Sequence, residues 1–369
     1  MMGMELKNHW QMTWLAAGAI IMTLSCHTPR AAEPPMAKEE PLPIEYPQNI
    51  IFMVAHGLGL TQISAAMYDQ GNRTALERCP VAGLHKPLAE DGSALESAQA
   101  ANAFSSGRIT YPGAIGLGPD SMPMPQLMRQ AAALGWHIGL LSTGDLSEAP
   151  AAAYYAQTRK ANDKAAIVDQ LPNAGFALAV GGGKLHIDPQ NLQSRGYAVI
   201  DYKPGVIQRA ATGANLVCFT PEGSLSGTGE SQAALAQALG ESVDLLRTRE
   251  NDQGFLLLVD AAQIGKAAQA NDSSWMMAEL RSFDKAIDEA LNFAAEDGRT
   301  LVVVAGDSEI GGYALKIGPG PDVLVPTFNT RQATTTLSPV FAYGPGAELF
   351  SGIYRNTDIY KKLCRAIGL

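Results

Sequence analysis

Four stretches of the chain, IFMVA at 51–55, IGLLS at 138–142, GFLLLV at 254–259 and LVVVAG at 301–306, are apolar with almost no interruption. A strand with one face in water alternates polar and apolar residues. These do not, so both of their faces must be covered, as in a parallel sheet held between two layers of helices. Helix-forming sequence separates the runs, and glycine-rich turns follow several of them. That rhythm predicts an α/β fold, a three-layer αβα sandwich with a mostly parallel central sheet. The 369 residues show no internal repeat, and one large domain over 49–369 is expected.

Further elements follow from composition and spacing. Helices are expected at 61–69, 94–106 (ended by Gly107), 123–134, 148–171, 231–249, 273–297 and 357–367. Strands are expected at 81–87, 176–183 and 338–346. Residues 184–229, with scattered Gly, Pro, Asn and Thr, read as loops and short strands lying over the main sheet.

In open parallel sheets the binding site gathers beyond the carboxyl ends of the strands. Those ends carry His56, Ser142, Gly181, Asp260 and Asp307. The run LVVVAGDSEIGGY delivers Asp307, Ser308 and Glu309 to a glycine loop, a common setting for a metal ion. Yet the chain has six histidines and none lies beyond His186.

The formal net charge of -9 argues against a nucleic-acid partner, which would need a concentrated positive surface. At the amino terminus Lys7 precedes an apolar run from Trp14 to Leu24, too short for a comfortable membrane span. Residues 1–26 read as a signal peptide, with Cys26 placed as the lipidated residue of a bacterial lipoprotein. Residues 27–48, rich in Pro and Glu, read as a flexible linker. Export to the periplasm, or attachment to a cell-envelope membrane by lipid, is therefore expected. An uncut N-terminal anchor is the other reading. Cys79, Cys218 and Cys364 have no metal-knuckle spacing and could form one disulfide at most.

The stretches NIIFMVAHGLGLTQISAA, ESAQAANAFSSGRITYPGAIG, APAAAYYAQ, GGGKLHI, GFLLLVDAAQIGKAAQAND, AGDSEIGGY and VFAYGPGAELFSG with NTDIY keep the order of the alkaline phosphatase family. The chain resembles that family from about 49 to 366. The resemblance implies phosphate monoester hydrolysis through a serine nucleophile, with two zinc ions and a magnesium ion. Zinc there needs imidazole or carboxylate ligands on rigid strand ends, and magnesium needs oxygen ligands.

Position by position, the resemblance preserves the nucleophile and loses most ligands. Glu96-Ser97 stands where the family has aspartate-serine. Where the family has an aspartate bridging zinc and magnesium, this chain has His56, within Ala55-His56-Gly57. The magnesium-side threonine is Pro150, with Glu148 two residues before it. A family glutamate, aspartate and histidine correspond to Asp260, Gly265 and Gln269. The aspartate-histidine pair is Asp307-Ser308, and a last zinc histidine is Ala333.

Two functions compete on these residues. One is a catalytically degenerate homologue, an exported binding or structural protein with no cofactor. The alternative is a divergent metal-dependent phosphate monoester hydrolase, with Ser97 as nucleophile and zinc and magnesium as cofactors. Its rebuilt metal site would use His56, Asp260, Asp307 and Glu309. The more ordinary reading of His56 is a histidine satisfied by a backbone hydrogen bond, and that of Ser97 a cap or first-turn residue, with no base beside it in sequence. Arg159, nine residues after Pro150 and about two short of the family's spacing, is either a phosphate clamp or a surface arginine. The ligand or partner is unnamed by sequence; a phosphate-containing small molecule fits the resemblance, which also implies a homodimer.

Overall fold

Every residue of strand β1 (Asn49–Ala55) is buried, and the strand lies in the middle of a ten-stranded sheet. The computed structural model describes residues 46–369 except 211–212, 222–224, 229–231, 250–252 and 321–323. The signal peptide expected over 1–26 and most of the linker fall outside the described residues.

The other strands are β2 (Val81–Lys86), β3 (His137–Asp145), β4 (Leu178–Gly182), β5 (Tyr197–Asp201), β6 (Asn215–Phe219), β7 (Phe255–Ala261) and β8 (Thr300–Gly306), followed by β9 (Ala314–Ile317), β10 (Leu324–Thr327), β11 (Ser338–Tyr343) and β12 (Gly352–Arg355). The main sheet runs β12-β2-β11-β8-β1-β7-β3-β4-β6-β5, and β9 pairs with β10 separately. Only β11 runs antiparallel to its neighbours β2 and β8 in the main sheet. The four continuous apolar runs become the adjacent strands β8, β1, β7 and β3. Each fully buried Val, Leu or Ile there contributes about 1.5–3 kcal/mol of apolar burial.

The helices are α1 (Leu60–Asp69), α2 (Ser97–Ser106), α3 (Leu127–Ala133), α4 (Lys164–Val168), α5 (Pro189–Ser194), α6 (Val206–Arg209), α7 (Ala234–Arg247), α8 (Ala262–Ala270), α9 (Ser273–Asp297) and α10 (Thr357–Ala366). In α9, Asp272 caps the start by accepting from the Trp275 N–H at 2.9 Å, and Gly298 ends it in the left-handed conformation. Its stripe of Met276, Leu280, Phe283, Ile287, Leu291 and Ala294 keeps helical spacing and packs into one of two apolar clusters. That cluster includes Met53 and Val259, whereas Phe52 and Leu258 belong to the other, so the sheet is covered on both faces.

Two stretches depart from expectation. Residues 148–171 do not form one helix but a short 3-10 turn at Ala151–Tyr154 and the isolated α4. The N–H and C=O of Thr158 bond to Ile115 instead of a helical neighbour, and Asp163 starts α4 afresh by capping Ala166 N–H. The short strands expected within 184–229 do not lie over the sheet but join it: β5 and β6 extend it at one edge. These strands are only five residues each, with α6 between them, so the apolar signal is weak.

Cys79, Cys218 and Cys364 are free thiols. Burial pushes Cys79 up to about 11 and Cys218 up to about 12, so neither is a ready thiolate. Among the described residues no helix is long and apolar enough to cross a membrane.

Candidate active site

Strand register alone brings His56 to Asp307. In the parallel β1–β8 pair Ala55 lies opposite Gly306, so the next residue on each strand leaves the sheet at the same level. The N–H of Asp307 donates back to the carbonyl of Ala55 at 3.3 Å, which holds the two strand ends together. His56 Nδ1 then lies 2.6 Å from Asp307 Oδ2. The other carboxylate oxygen, Oδ1, accepts from Gly57 N–H at 3.1 Å and Ser308 Oγ at 3.2 Å.

Helix α2 brings the third member. Its Phe104 packs against Phe52 of β1 and edge-on against His85 of β2, with ring centroids 5.9 and 5.3 Å apart. Asn102 ties the helix to the following loop, donating to Ala114 O at 2.7 Å and accepting from Gly116 N–H at 2.8 Å. At the helix start the Glu96 N–H donates to Gln99 Oε1 at 3.1 Å. So anchored, α2 points its first residue at the end of β1, and Ser97 Oγ lies 2.9 Å from His56 Nε2. Ser97 is partly exposed, His56 is 5% exposed and Asp307 is fully enclosed.

The polarity of this chain is set by its ends. Asp307 is surrounded by donors and accepts, so the proton of a neutral His56 belongs on Nδ1. Nε2 is left as the acceptor for the Ser97 hydroxyl. Burial pushes the His56 imidazole down, but the charge and hydrogen bond of Asp307, aided by Asp260, more than offset this and raise it above the ordinary value.

Two glycines make room. Gly57 has φ +79°, a conformation that favours glycine, and it turns the chain so that its N–H reaches Asp307. Gly265 of α8 lies against the imidazole: a Cβ built there would fall 2.8 Å from His56 Cγ and closer still to Cδ2. The ring thus occupies the space that a side chain at 265 would need.

The remaining carboxylates point elsewhere. Asp260 of β7 accepts from Ser142 Oγ at 2.7 Å, and its Oδ1 has no hydrogen-bond partner. Burial pushes Asp260 up to about 6. The buried Tyr154 hydroxyl is likewise without a partner; burial, with the charges of Asp260 and Asp307, pushes it well up. Glu309 is enclosed by four donors: Gln62 Nε2 at 2.6 Å, Tyr313 N at 3.1 Å, Gly312 N at 3.2 Å and Thr334 Oγ1 at 2.5 Å. Glu148 pairs with Lys266 at 2.8 Å and Lys164 at 3.2 Å. Arg159 is exposed, just after Thr158. Among the described residues no group of three or more His, Cys, Asp or Glu side chains converges on a point where a metal could sit.

Sequence places Ser97, His56 and Asp307 singly at strand and helix ends; the structure connects them. His56 is engaged by two side chains and not by a backbone hydrogen bond, and the Ser97 hydroxyl lies within hydrogen-bond distance of an imidazole nitrogen. A cleft of about 1050 Å³ opens beside the site, with Thr143, Glu148, Gly183, Lys184, Gln263 and Lys266 among its walls. No member of the Ser97–His56–Asp307 chain lines it, so the cleft and the chain are two places, although α8 borders both through Lys266 and Gly265.

The fold is a three-layer αβα sandwich in which a serine at a helix start faces the carboxyl ends of the central strands. The alkaline phosphatase family profile matches residues 47–208 and 222–339, and the chain belongs to that family. It is 25% identical to the alkaline phosphatase of Escherichia coli, over 87% of this chain and 86% of that one. It is also 25% identical to the streptomycin-6-phosphate phosphatase of Streptomyces griseus, over 87% and 91%. The crystal structure of alkaline phosphatase from the Antarctic bacterium TAB5 superposes with a TM-score of 0.82 at 27% identity, over 88% of this chain and 99% of that one.

Proposed function

We propose that this member of the alkaline phosphatase family does not run the family's zinc- and magnesium-dependent phosphomonoester hydrolysis. The observation that carries this reading is the fit of His56 against Gly265. The position resembling the family's bridging carboxylate holds an imidazole with both nitrogens engaged by protein side chains. The position resembling a ligating aspartate has no side chain, and the imidazole fills its space.

The other positions agree. Glu309 has its oxygens taken up by four protein donors and Glu148 is paired with two lysines, so neither is free to ligate. A zinc or magnesium ion does not fit this donor set, because zinc needs several nitrogen or anionic donors on one centre and magnesium a near-octahedron of oxygens. Two metals stabilise both the attacking and the leaving oxygen of phosphoryl transfer, and each ~1.4 kcal/mol so lost is a factor of ten in rate. With neither in place the aryl phosphate reaction falls by orders of magnitude. We further propose that the chain is exported and anchored through Cys26.

The test is metal content and aryl phosphate turnover measured on the same purified samples of wild type and Ser97→Ala, with zinc and magnesium supplied. Substoichiometric zinc and equal background rates are expected. About two tightly held zinc ions per chain, with a rate that disappears in Ser97→Ala, would instead establish the divergent phosphatase.

A further inference from the structure

We propose that Ser97, His56 and Asp307 form a metal-independent nucleophilic triad acting on neutral carboxylic esters, with an acyl group carried transiently on Ser97. The proposal rests on the reading that the site works without zinc, and goes beyond it by giving the site a reaction.

Three features carry it. The first is geometry: serine to imidazole at 2.9 Å and imidazole to carboxylate at 2.6 Å are hydrogen-bond distances at which a proton can pass from Oγ to Nε2 while Asp307 holds the ring. The second is the exposure gradient. Ser97 is partly exposed, His56 is buried and the carboxylate of Asp307 is enclosed. A purely structural hydrogen-bond chain has no need of an open end. The third is that the ring has its own seat: Gly57 shapes the turn that feeds Asp307, and Gly265 clears the volume for the imidazole. A site left with an arbitrary histidine would not have a bare backbone waiting behind it.

The charge around the site selects the substrate class. Asp260 and Asp307 lie near His56 with Lys266 as the opposing charge, and Glu96 is exposed beside Ser97. A phosphate dianion would meet net negative charge. A neutral ester carbonyl would not, and only one negative charge develops on it. The N–H groups of Ser97 and Ala98 lie in the first turn of the ten-residue α2, where no intrahelical carbonyl takes them up, and a helix start favours a developing negative charge beside it.

In the reaction Ser97 Oγ bonds to the carbonyl carbon as its proton moves to His56 Nε2. The C–O bond to the alcohol breaks, and His56 returns that proton to the departing alkoxide. Water then gives a proton to His56 and its oxygen attacks the acyl carbon. The bond to Ser97 Oγ breaks, the proton returns to Oγ, and a carboxylic acid leaves.

The experiment uses the full chain in EDTA, with a fluorophosphonate probe read by intact mass and peptide mapping, and 4-nitrophenyl butyrate hydrolysis alongside. One adduct on Ser97 and an ester rate unaffected by EDTA are expected, both absent in Ser97→Ala. In His56→Gln labelling should slow by at least about 10³-fold. If that buried variant does not fold, Gly265→Ala displaces the ring without removing it and should also slow labelling. A folded wild type with no adduct, with or without zinc, overturns the triad while leaving the zinc-free reading intact, as does labelling equally fast in His56→Gln and Gly265→Ala. Reactivity that appears only after zinc is restored overturns the zinc-free reading itself.

Discussion

Asp307 and Glu309 stand two residues apart at the end of β8, both buried, and they have opposite surroundings. Glu309 is closed on all sides by donors from α1, the glycine loop and Thr334, so nothing about it can change without breaking the loop. Asp307 gives one oxygen to the backbone turn and the other to an imidazole that leads outward to a partly exposed serine. A buried carboxylate surrounded by fixed donors is a structural tie. One that ends on a titratable ring with an open far side is part of a proton path.

The largest expected separation of the two comes from Asp307→Asn. The Gly57 N–H needs an oxygen, so the new amide turns its NH2 toward His56 Nδ1 and drives the ring proton onto Nε2. Ser97 then loses its acceptor, and the ester reaction should fall by about 10⁴-fold, with a smaller change in melting temperature. An unchanged rate with a large loss of stability would make Asp307 a tie like its neighbour.

Glu309→Ala should do the reverse. Four donors lose this acceptor, two of them buried, although Gln62 Nε2 keeps Ile310 O and Thr334 Oγ1 keeps Thr336 Oγ1. The cost should be about 3 kcal/mol of stability, while fluorophosphonate labelling of the folded fraction keeps its rate. Chemical denaturation and labelling on the same samples would check this. Loss of labelling with stability intact would erase the distinction.

Asp260 sharpens the contrast, since it is buried with one oxygen unpartnered. Its pKa is raised by burial from 3.8 to about 6, so the fold favours its protonated form. That contribution is fully present below about pH 3.8 and is lost as pH rises through about 6. At pH 8 the buried charge costs about 3 kcal/mol. Asp260→Asn keeps an acceptor for Ser142 and removes the charge. It should therefore be more stable than wild type by up to about 3 kcal/mol at pH 8, with the gap closing near pH 4. Denaturant titrations at the two pH values measure it, and a gap that does not change with pH would mean the carboxylate is solvated.

The sheet was legible in the sequence because continuous apolar runs have few other uses, and β8, β1, β7 and β3 sit together as those runs require. Residues 148–171 look helical in sequence because alanine favours helix, while nothing local announces that Thr158 pairs with Ile115. The site was half legible. His56, Ser97 and Asp307 were each visible as a residue type at a strand or helix end. Their connection spans 41 residues on one side and 251 on the other, and it exists only once β1 and β8 are in register and Phe104 has seated α2. Gly265 could have given a hint: a glycine inside a helical pattern, at a place resembling a ligand position, signals that something else needs the room.

Gly265 also ties two distant positions together. A side chain at 265 would occupy the space of the imidazole at 56, so a carboxylate placed at 265 alone would run into the ring. A carboxylate placed at 56 alone would leave the Ser97 hydroxyl without its imidazole partner. The two positions therefore should not vary independently, and a set of the two single and one double variants would show a stability change in the double that is not the sum of the singles.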